Sequence, residues 1–389
     1  MKRKFLILIL GLLILNILLT VEIRAKATIS IKNKLTIKNK YFKKEEYELK
    51  YDQLKSLQRE YSQNVKGVYV NLWTLSHSDK RKKLIKVITE SKLNAIVIDL
   101  KDIKGRTPFV ISPLKKFHYN LDRNELKNLI SKWQQKGIYV IGRIAVFKDE
   151  ALALQNSQTA LKYIMDTGQN WALVDSDKWT NPYSKLVWDY NIKIASEMAA
   201  LGLDEIQFDY IRFPTLRKNS KLVIRSDEEL SRAEAITGFL KEAVKKLKDY
   251  NVIVSADLFG LTTTAVDDLG IGQNIAEIAQ HVDYISPMLY PSHYNKGIYG
   301  IENPAASPYQ VIANSLTDAK EKLGSNSMKI RPWLQDFSLY HIYTKKEIKA
   351  QIKAVEDNNL SSWLLWNPKS QYTIEALVPD KREGSKDES

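Results

Sequence analysis

Apolar runs rich in β-branched residues alternate with segments of helical period from residue 65 onward. This alternation predicts parallel strands that are joined by crossover helices. Eight strands are expected, and they begin at Val65, Asn94, Ile138, Asp204, Asn251, Val282, Met328 and Ser361. Eight strands alternating with helices predict an α/β fold, the (β/α)8 TIM barrel. An open doubly wound sheet is the alternative, although no strand is followed by a complete glycine-rich nucleotide-binding sequence.

Several of the intervening helices have recognisable starts. Residues that cap helix N-termini with a side-chain oxygen stand just before the periodic apolar positions. The expected starts lie at Asp122, Asn181, Ser226, Ser307 and Thr344. The predicted number of helices therefore rests on these capping signals as well as on the helix propensity of the residues.

The first 27 residues predict export of the chain. Three cationic residues at 2–4 precede an apolar stretch over 5–21, and Ala25-Lys26-Ala27 has the pattern of a signal-peptide cleavage site. The stretch is slightly long for a signal peptide and slightly short for a spanning helix, so a membrane anchor stays open as the alternative. In both cases the remainder is expected outside the cytoplasmic membrane, secreted or anchored to its outer face.

The rest of the chain divides into three parts by composition. Residues 28–64 are rich in Lys, Asn and Tyr and are expected to form a spacer. Residues 65–380 are expected to form the barrel, and 381–389 a polar tail. The chain contains no cysteine, which excludes disulfides, thiolate metal sites and cysteine nucleophiles.

The net charge of the chain is +14, and +10 remains without residues 1–27, which hold five Lys/Arg and one Glu. A basic surface attracts anionic envelope polymers or an acidic polysaccharide, whereas a simple solvated lysine surface is the plainer interpretation. Nucleic acid is not expected as a partner, because the lysines are dispersed and the chain is predicted to be exported.

Three aspartates stand where predicted strands give way to loops. They are Asp209 in DEIQFDYIRFP, Asp257 in VIVSADLFG and Asp336 in IRPWLQDFS. The carboxyl ends of barrel strands share one face, so these carboxylates are predicted to converge on one cleft. Paired carboxylates in one cleft are typical of acid/base chemistry. A capping or loop-pairing aspartate is the alternative for each.

Other polar and aromatic residues lie near the same strand ends. Aromatic faces beside acids and amides suit sugar rings, which offer apolar C–H faces and hydroxyl edges, although core packing is the alternative for any one aromatic. The candidate substrate-binding residues are Asp99, Arg143, Gln207, Arg212, Tyr290, His293, Trp333, Gln335 and Trp366. Asp102 is a weaker candidate, because it can pair locally with Lys101, Lys104 or Arg106.

Metal and cofactor chemistry is not predicted. The five histidines are scattered, and there is no HExxH sequence, so no metal site and no cofactor are expected. There is also no GxSxG serine elbow and no phosphate-binding loop. A carboxylate-bound calcium ion is not excluded by these patterns.

Five blocks in the chain resemble a bacterial glycoside hydrolase family of exported (β/α)8 barrels, distantly similar to α-amylases. The blocks are DEIQFDYIRFP (204–214), SADLFGL (255–261), VDYISPMLYPSHY (282–294), RPWLQDF (331–337) and WLLWNP (363–368). The resemblance spans about residues 66–380 and implies the barrel fold, a polysaccharide or oligosaccharide substrate and hydrolysis of O-glycosyl bonds.

The resemblance also implies roles for the three aspartates. Asp209 would be the nucleophile or base, Asp257 the proton donor and Asp336 the transition-state stabiliser. The chain departs from the α-amylase pattern, which has Glu at 257, Arg at 207 and His at 335, so the division of roles between Asp257 and Asp336 stays open. Two functions follow: a glycosidase acting on an envelope or exopolysaccharide glycan, or a barrel that binds such a glycan without cleaving it.

Overall fold

The computed structural model describes residues 55–56, 58–111, 118–166, 171–215, 220–222 and 230–378. The predicted signal or anchor segment, most of the predicted spacer and the polar tail lie outside these residues. No helix within the described ranges is both long and apolar enough to cross a membrane.

The described chain contains eleven strands. They are β1 (Lys66–Val70), β2 (Ala95–Lys101), β3 (Tyr139–Ala145), β4 (Ala160–Asp166), β5 (Trp171–Thr180), β6 (Glu205–Asp209), β7 (Ser220–Leu222), β8 (Ile253–Phe259), β9 (Tyr284–Leu289), β10 (Trp333–Gln335) and β11 (Trp363–Trp366). The α-helices in the same part are α1 (Leu72–Ser76), α2 (Ser78–Thr89), α3 (Arg123–Gln134), α4 (Glu150–Gln155), α5 (Lys185–Ala199), α6 (Arg232–Leu247), α7 (Ile275–Ala279), α8 (Pro308–Leu323) and α9 (Lys345–Asp357).

Eight of the strands close into a parallel barrel in the order β1-β2-β3-β6-β8-β9-β10-β11, and β11 returns to β1. The predicted (β/α)8 barrel is confirmed, and the open sheet is excluded by this closure. β2 and β3 are buried at every position, because helices cover the outside and side chains fill the inside. Their sequences are accordingly apolar at most positions and do not alternate, with Asp99, Lys101 and Arg143 as the charged exceptions.

The seventh barrel strand is much shorter than its apolar run. The run begins at Met328, but β10 covers only Trp333–Gln335. A 3₁₀ segment over Gly324–Lys329 occupies the start of the run. Pro332 then precedes the strand, and proline has no backbone N–H to donate to a ladder.

A small antiparallel sheet, with the order β5-β4-β7, interrupts the alternation of barrel strands and helices. The apolar runs of β4 and β5 are short and are broken by charged residues, and sequence analysis did not predict these strands. The end of β5 returns to the barrel through a backbone bridge between Trp179 and Lys148. This sheet therefore brings side chains to the loop that follows β3.

Three of the predicted helix starts are confirmed at Asp122, Ser307 and Thr344, which precede α3, α8 and α9. The prediction at Ser226 is wrong, and position 226 itself lies outside the described residues. α6 starts later, because Ser231 and Glu234 form a capping box there. Likewise α5 begins after Ser184 and not at Asn181.

The end of the predicted spacer packs against the N-terminal face of the barrel. The Nζ atom of Lys55 lies 2.7 Å from the Asp283 carboxylate. The Ser62 and Tyr284 hydroxyls are 2.7 Å apart, and Arg331 donates to the Ser62 carbonyl at 3.2 Å. Arg331 also pairs with Glu205 at 2.8 Å inside this face. Residues just before the first strand therefore contribute to barrel stability, while the opposite face stays available for a cleft.

Candidate active site

Asp209 and Asp257 meet around one guanidinium group at the C-terminal end of the barrel. Asp209 is the last residue of β6, and Asp257 lies on the neighbouring β8. Arg143 on β3 donates to Asp209 Oδ2 from Nε at 3.0 Å and again from Nη2. Asp257 Oδ2 lies 3.8 Å from the same Nε atom. The structure thus brings together two of the three predicted aspartates.

Asp99 holds the other side of Arg143. Nη1 of Arg143 donates to Asp99 Oδ1 at 2.6 Å, and the Tyr69 hydroxyl donates to Asp99 Oδ2. Burial raises the pKa of Asp99 to about 6, although Arg143 and Tyr69 both act to lower it. Asp99 lies behind the arginine and not on the cleft wall, so it fixes the position of Arg143.

Asp257 is in an environment that favours its neutral form. Its side chain is buried, and the indole N–H of Trp333 donates to Oδ1 at 2.7 Å. Burial raises the pKa of Asp257 well above its ordinary value, and the charge of Asp209 adds to the rise. Arg143 and the Trp333 bond act in the opposite direction without outweighing burial. Because Oδ1 accepts from the indole, the proton belongs on Oδ2.

Asp209 is surrounded by donors. Besides the two bonds from Arg143, its Oδ1 accepts from the backbone N–H of Tyr210. Charge-assisted bonds of this kind stabilise the ionised carboxylate. Tyr210 has φ of 51°, a left-handed conformation that costs a non-glycine residue roughly 1 kcal/mol or more and that recurs at functional sites. The chain leaves β6 at this residue, and the carboxylate of Asp209 therefore pairs with Arg143 and not with Arg212.

The two aspartates open onto a cleft of about 250 Å³. Six of the predicted residues besides the aspartates line it: Arg143, Arg212, Tyr290, His293, Trp333 and Trp366. The sequence analysis missed four further lining residues: Tyr210, Phe259, Gln273 and Met288. Tyr210 directly follows Asp209, so its place beside a strand-end acid was a usable signal. Gln273 comes from a loop distant in sequence and carried no such signal.

Aromatic rings form one wall of this cleft. The rings of Trp333 and Trp366 are nearly perpendicular with centroids 5.6 Å apart. Trp366 also lies over the Arg143 guanidinium at 5.1 Å. Burial raises the pKa of Tyr290 well above its ordinary value and lowers that of His293. Both groups are therefore neutral near pH 7 and can exchange hydrogen bonds with sugar hydroxyls.

Asp336 lies apart from this cleft. Its carboxylate accepts from the backbone N–H of Thr373 at 2.9 Å and from the Thr373 hydroxyl at 2.8 Å. These two bonds tie the loop after β10 to the segment after β11. The geometry is that of a loop-pairing aspartate, the alternative that the sequence left open for each acid.

The side chains of Gln207 and Gln335 also make hydrogen bonds within the protein. Gln335 accepts from the Ser292 hydroxyl at 2.9 Å and donates to the Phe337 carbonyl at 2.8 Å. Gln207 donates to the Ser286 hydroxyl at 3.3 Å inside the barrel. Neither lines the cleft. Asp102 pairs locally with Arg106 at 2.6 Å, as its spacing indicated.

In the part of the chain that is described, no three His, Asp or Glu side chains are grouped so that they could hold a metal ion. The titratable groups that line the cleft include Asp209, Asp257, Arg143, Tyr290 and His293. A closed (β/α)8 barrel with two unlike carboxyl groups at its C-terminal face is the arrangement of a glycoside hydrolase.

The comparison with protein families gives the same class. Residues 67–372 match the family described as "Putative glycosyl hydrolase domain", and the chain belongs to this family. The match covers most of the chain, so the protein is a glycoside hydrolase by family. No curated protein matches the chain.

Two solved structures share the fold, and a third is similar to part of the chain. The PgaB (BpsB) glycoside hydrolase domain from Bordetella bronchiseptica is 13% identical with a TM-score of 0.59, covering 82% of this chain and 99% of that one. The "C-terminal domain of putative chitinase" from Desulfitobacterium hafniense DCB-2 is 11% identical with a TM-score of 0.53, covering 81% and 97%. A hypothetical protein from Ruminiclostridium thermocellum ATCC 27405 is 28% identical with a TM-score of 0.41, covering 49% and 96%.

Proposed function

We propose that this protein is an extracytoplasmic hydrolase of a cell-envelope or exopolysaccharide glycan, with Asp257 as the acid and Asp209 as its partner carboxylate. One observation carries the proposal. Two carboxyl groups reach the same Nε atom of Arg143, and one is held neutral by burial while the other is held by charge-assisted bonds. Carboxyl groups with unlike protonation are the pair that glycoside hydrolysis uses.

The reaction begins with proton transfer to the glycosidic oxygen. Asp257 gives the proton on Oδ2 as the bond between that oxygen and the anomeric carbon breaks, so the leaving sugar departs as an alcohol. Asp209 either attacks the anomeric carbon or removes a proton from the water that attacks it. In the first case water then cleaves the glycosyl ester, and the Asp257 carboxylate recovers a proton from that water.

The charges around Arg143 favour the transition state. Asp99 and Asp209 both face the single guanidinium, while Asp257 is neutral. Two carboxyl groups therefore face one cation, and their oxygens lie where they can stabilise the positive charge that develops on the anomeric carbon.

Four features support the substrate class and the location. Residues 1–27 have the pattern of an export segment, and the remaining chain is basic, which suits an anionic envelope polymer. The fold is also shared with a bacterial domain that is described as a glycoside hydrolase domain. The aromatic wall of Trp333, Trp366 and Tyr290 offers flat faces for sugar rings.

The test is the release of reducing sugar ends from isolated envelope and exopolysaccharide glycans. Asp209→Asn and Asp257→Asn are each expected to lower this release by about 10²-fold or more, while binding of the same glycans persists. Asp336→Asn is the matched control, because this carboxylate lies outside the cleft, and it should keep full release. Unchanged release by Asp209→Asn would contradict the proposal.

A further inference from the structure

The cleft continues past Asp209 into a group of cationic and aromatic side chains, here called the basic-aromatic platform. Its members are Lys148, Lys178, Trp179, Tyr210 and Arg212. Tyr210 and Arg212 line the cleft itself. Trp179 and Lys178 come from the end of β5, which pairs with the loop after β3 that carries Lys148. The antiparallel sheet thus adds its side chains to the edge of the barrel cleft.

The aromatic rings hold the cations in place. The Arg212 guanidinium lies 4.9 Å from the Trp179 ring centre and 5.7 Å from that of Tyr210. The Lys148 ammonium lies 5.1 Å from the Tyr210 ring and 5.9 Å from the Trp179 ring. Trp179 and Tyr210 meet edge to face with centroids 6.0 Å apart. Cation–π contacts of this kind restrain a charged group without neutralising it.

The positive charges of the platform are not balanced by partners within it. Among the residues that the structure describes, none of the ion pairs includes Lys148, Lys178 or Arg212. Burial lowers the pKa of Lys148, and the neighbouring charges of Arg212 and Lys178 lower it further. Asp209 acts on Lys148 in the opposite direction, but it is already bound by Arg143. Like charges held together in this way favour an anion between them.

We propose that the basic-aromatic platform is a sugar-binding subsite for a glycan unit that carries an anionic substituent, a carboxylate in the first instance. The inference rests on the proposed glycoside hydrolase function and specifies its substrate. Because Tyr210 adjoins Asp209 in the chain, the anionic unit would bind next to the bond that is cleaved. Arg212 and Lys148 would donate to the substituent, and the aromatic rings would contact the apolar face of the sugar.

A neutral glycan gains nothing from three cations at this place. It would leave the half-buried Arg212 and Lys148 without a counter-charge, which is unfavourable. A cationic glycan, such as one with free amino groups, would be repelled. The platform therefore predicts a preference within glycans and not only an affinity for sugars.

The test uses the full chain with Asp257→Asn, which keeps glycans intact, on an array of uronate-bearing, phosphate-bearing, neutral and amino-bearing oligosaccharides. We expect the uronate-bearing set to bind best, and a stronger signal from the phosphate-bearing set would assign the platform to phosphate instead. Adding Lys148→Gln and Arg212→Gln should weaken the anionic binding about tenfold or more per group removed. If the variant with Lys148→Gln and Arg212→Gln does not fold, Lys178→Gln replaces it, because Lys178 is exposed, and it should also weaken the anionic binding.

The matched control removes two charges elsewhere. Lys132→Gln with Lys245→Gln, in the last turns of α3 and α6, alters the net charge equally at the opposite face of the barrel and should leave binding unchanged. Preferential binding of neutral or amino-bearing glycans, an array without any binding, or equal loss in the control would overturn the subsite. Anionic binding without cleavage by the wild type would instead contradict the hydrolase proposal and leave the subsite standing.

Discussion

Trp333 donates its indole N–H to Oδ1 of Asp257 at 2.7 Å inside the barrel. The bond fixes which oxygen of the buried acid accepts and therefore leaves Oδ2 to carry the proton. Oδ2 is also the oxygen that faces Arg143 and, beyond it, Asp209. A residue that sequence analysis assigned to sugar binding thus also orients the proposed acid.

Trp333→Phe is expected to move the pH dependence of the reaction. The indole bond stabilises the charged form of Asp257, so its loss raises the pKa of Asp257 further. The acid must be protonated to act, and the alkaline limb of the kcat/KM profile should therefore shift to higher pH. The measurement is kcat/KM against pH for wild type and variant.

Trp363→Phe provides the control for that shift. Trp363 is buried in the neighbouring β11, and its indole nitrogen has no hydrogen-bond partner among the described residues. Its replacement should lower stability without moving the profile. Equal shifts in both variants would mean that packing, and not the bond to Asp257, sets the pKa.

The separation of the two carboxyl groups predicts retention of anomeric configuration. Both Oδ2 atoms lie close to Arg143 Nε, at 3.0 Å for Asp209 and 3.8 Å for Asp257. They are therefore at most about 7 Å apart, below most of the range of about 6.5–9.5 Å that inverting pairs need for a water. NMR of the first product formed should show the configuration of the substrate, and an inverted product would assign Asp209 as a base.

Asp336→Ala should lower stability and leave the reaction unchanged. The variant loses two hydrogen bonds from Thr373, each contributing about 1 kcal/mol, so the free energy of unfolding should fall by about 2 kcal/mol. Denaturant titration measures this fall, with Thr373→Val and the double variant to complete a thermodynamic cycle. A loss of kcat/KM larger than the loss of folded protein would show that Asp336 takes part in the reaction.

The barrel was predictable because its strands are unusually apolar and regularly spaced. Buried strands such as β2 are apolar at most positions on both faces, and such a run is a strong sequence signal. The antiparallel sheet left no such signal, because β4 and β5 lie outside the barrel and mix charged with aromatic residues. Helix starts were predictable only where the capping residue adjoined the first turn, as at Asp122 and not at Ser226.

The site could be predicted only in part, because the sequence indicates where a strand ends but not where the side chain at its end points. Strand-end position identifies Asp209 and Asp257, because all strands of a parallel barrel end at one face. It does not tell which way a side chain turns after the strand, and Asp336 turns toward Thr373. Arg143 was expected to contact substrate, but only the three-dimensional structure shows that it joins Asp99, Asp209 and Asp257.

Lys55→Met should reveal the role of the segment before β1. Burial opposes ionisation of Asp283, yet Lys55, with Arg59 and a backbone N–H, outweighs it and holds the pKa of Asp283 below its ordinary 3.8. The free energy of unfolding should fall by about 2 kcal/mol at neutral pH, because the buried carboxylate loses its bond from Lys55 and keeps only Arg59 and the backbone N–H. An acid with a lowered pKa in the folded state stabilises the fold at pH values above its unfolded-state pKa. This stabilisation is lost as the pH falls through the folded-state pKa.

Denaturation of wild type and Lys55→Met from pH 7 down to pH 3 measures this difference. The gap between them should narrow as the pH falls below 3.8 and toward the lower folded-state pKa of Asp283, where the wild-type carboxylate also becomes protonated. Lys353→Met, at an exposed pair on α9, is the control and should show almost no gap. A gap that persists at low pH would assign the effect of Lys55 to packing of its side chain.

The protonation of Asp257 is the central claim, and carboxyl ¹³C NMR of aspartate-labelled protein tests it without any substrate. We expect one carboxyl resonance of the wild type to stay protonated at pH 7 and to disappear in Asp257→Asn. Asp99, with a pKa of about 6, should titrate separately at lower pH. A wild-type spectrum with every aspartate ionised at pH 7, or a protonated resonance that survives Asp257→Asn, would contradict the account.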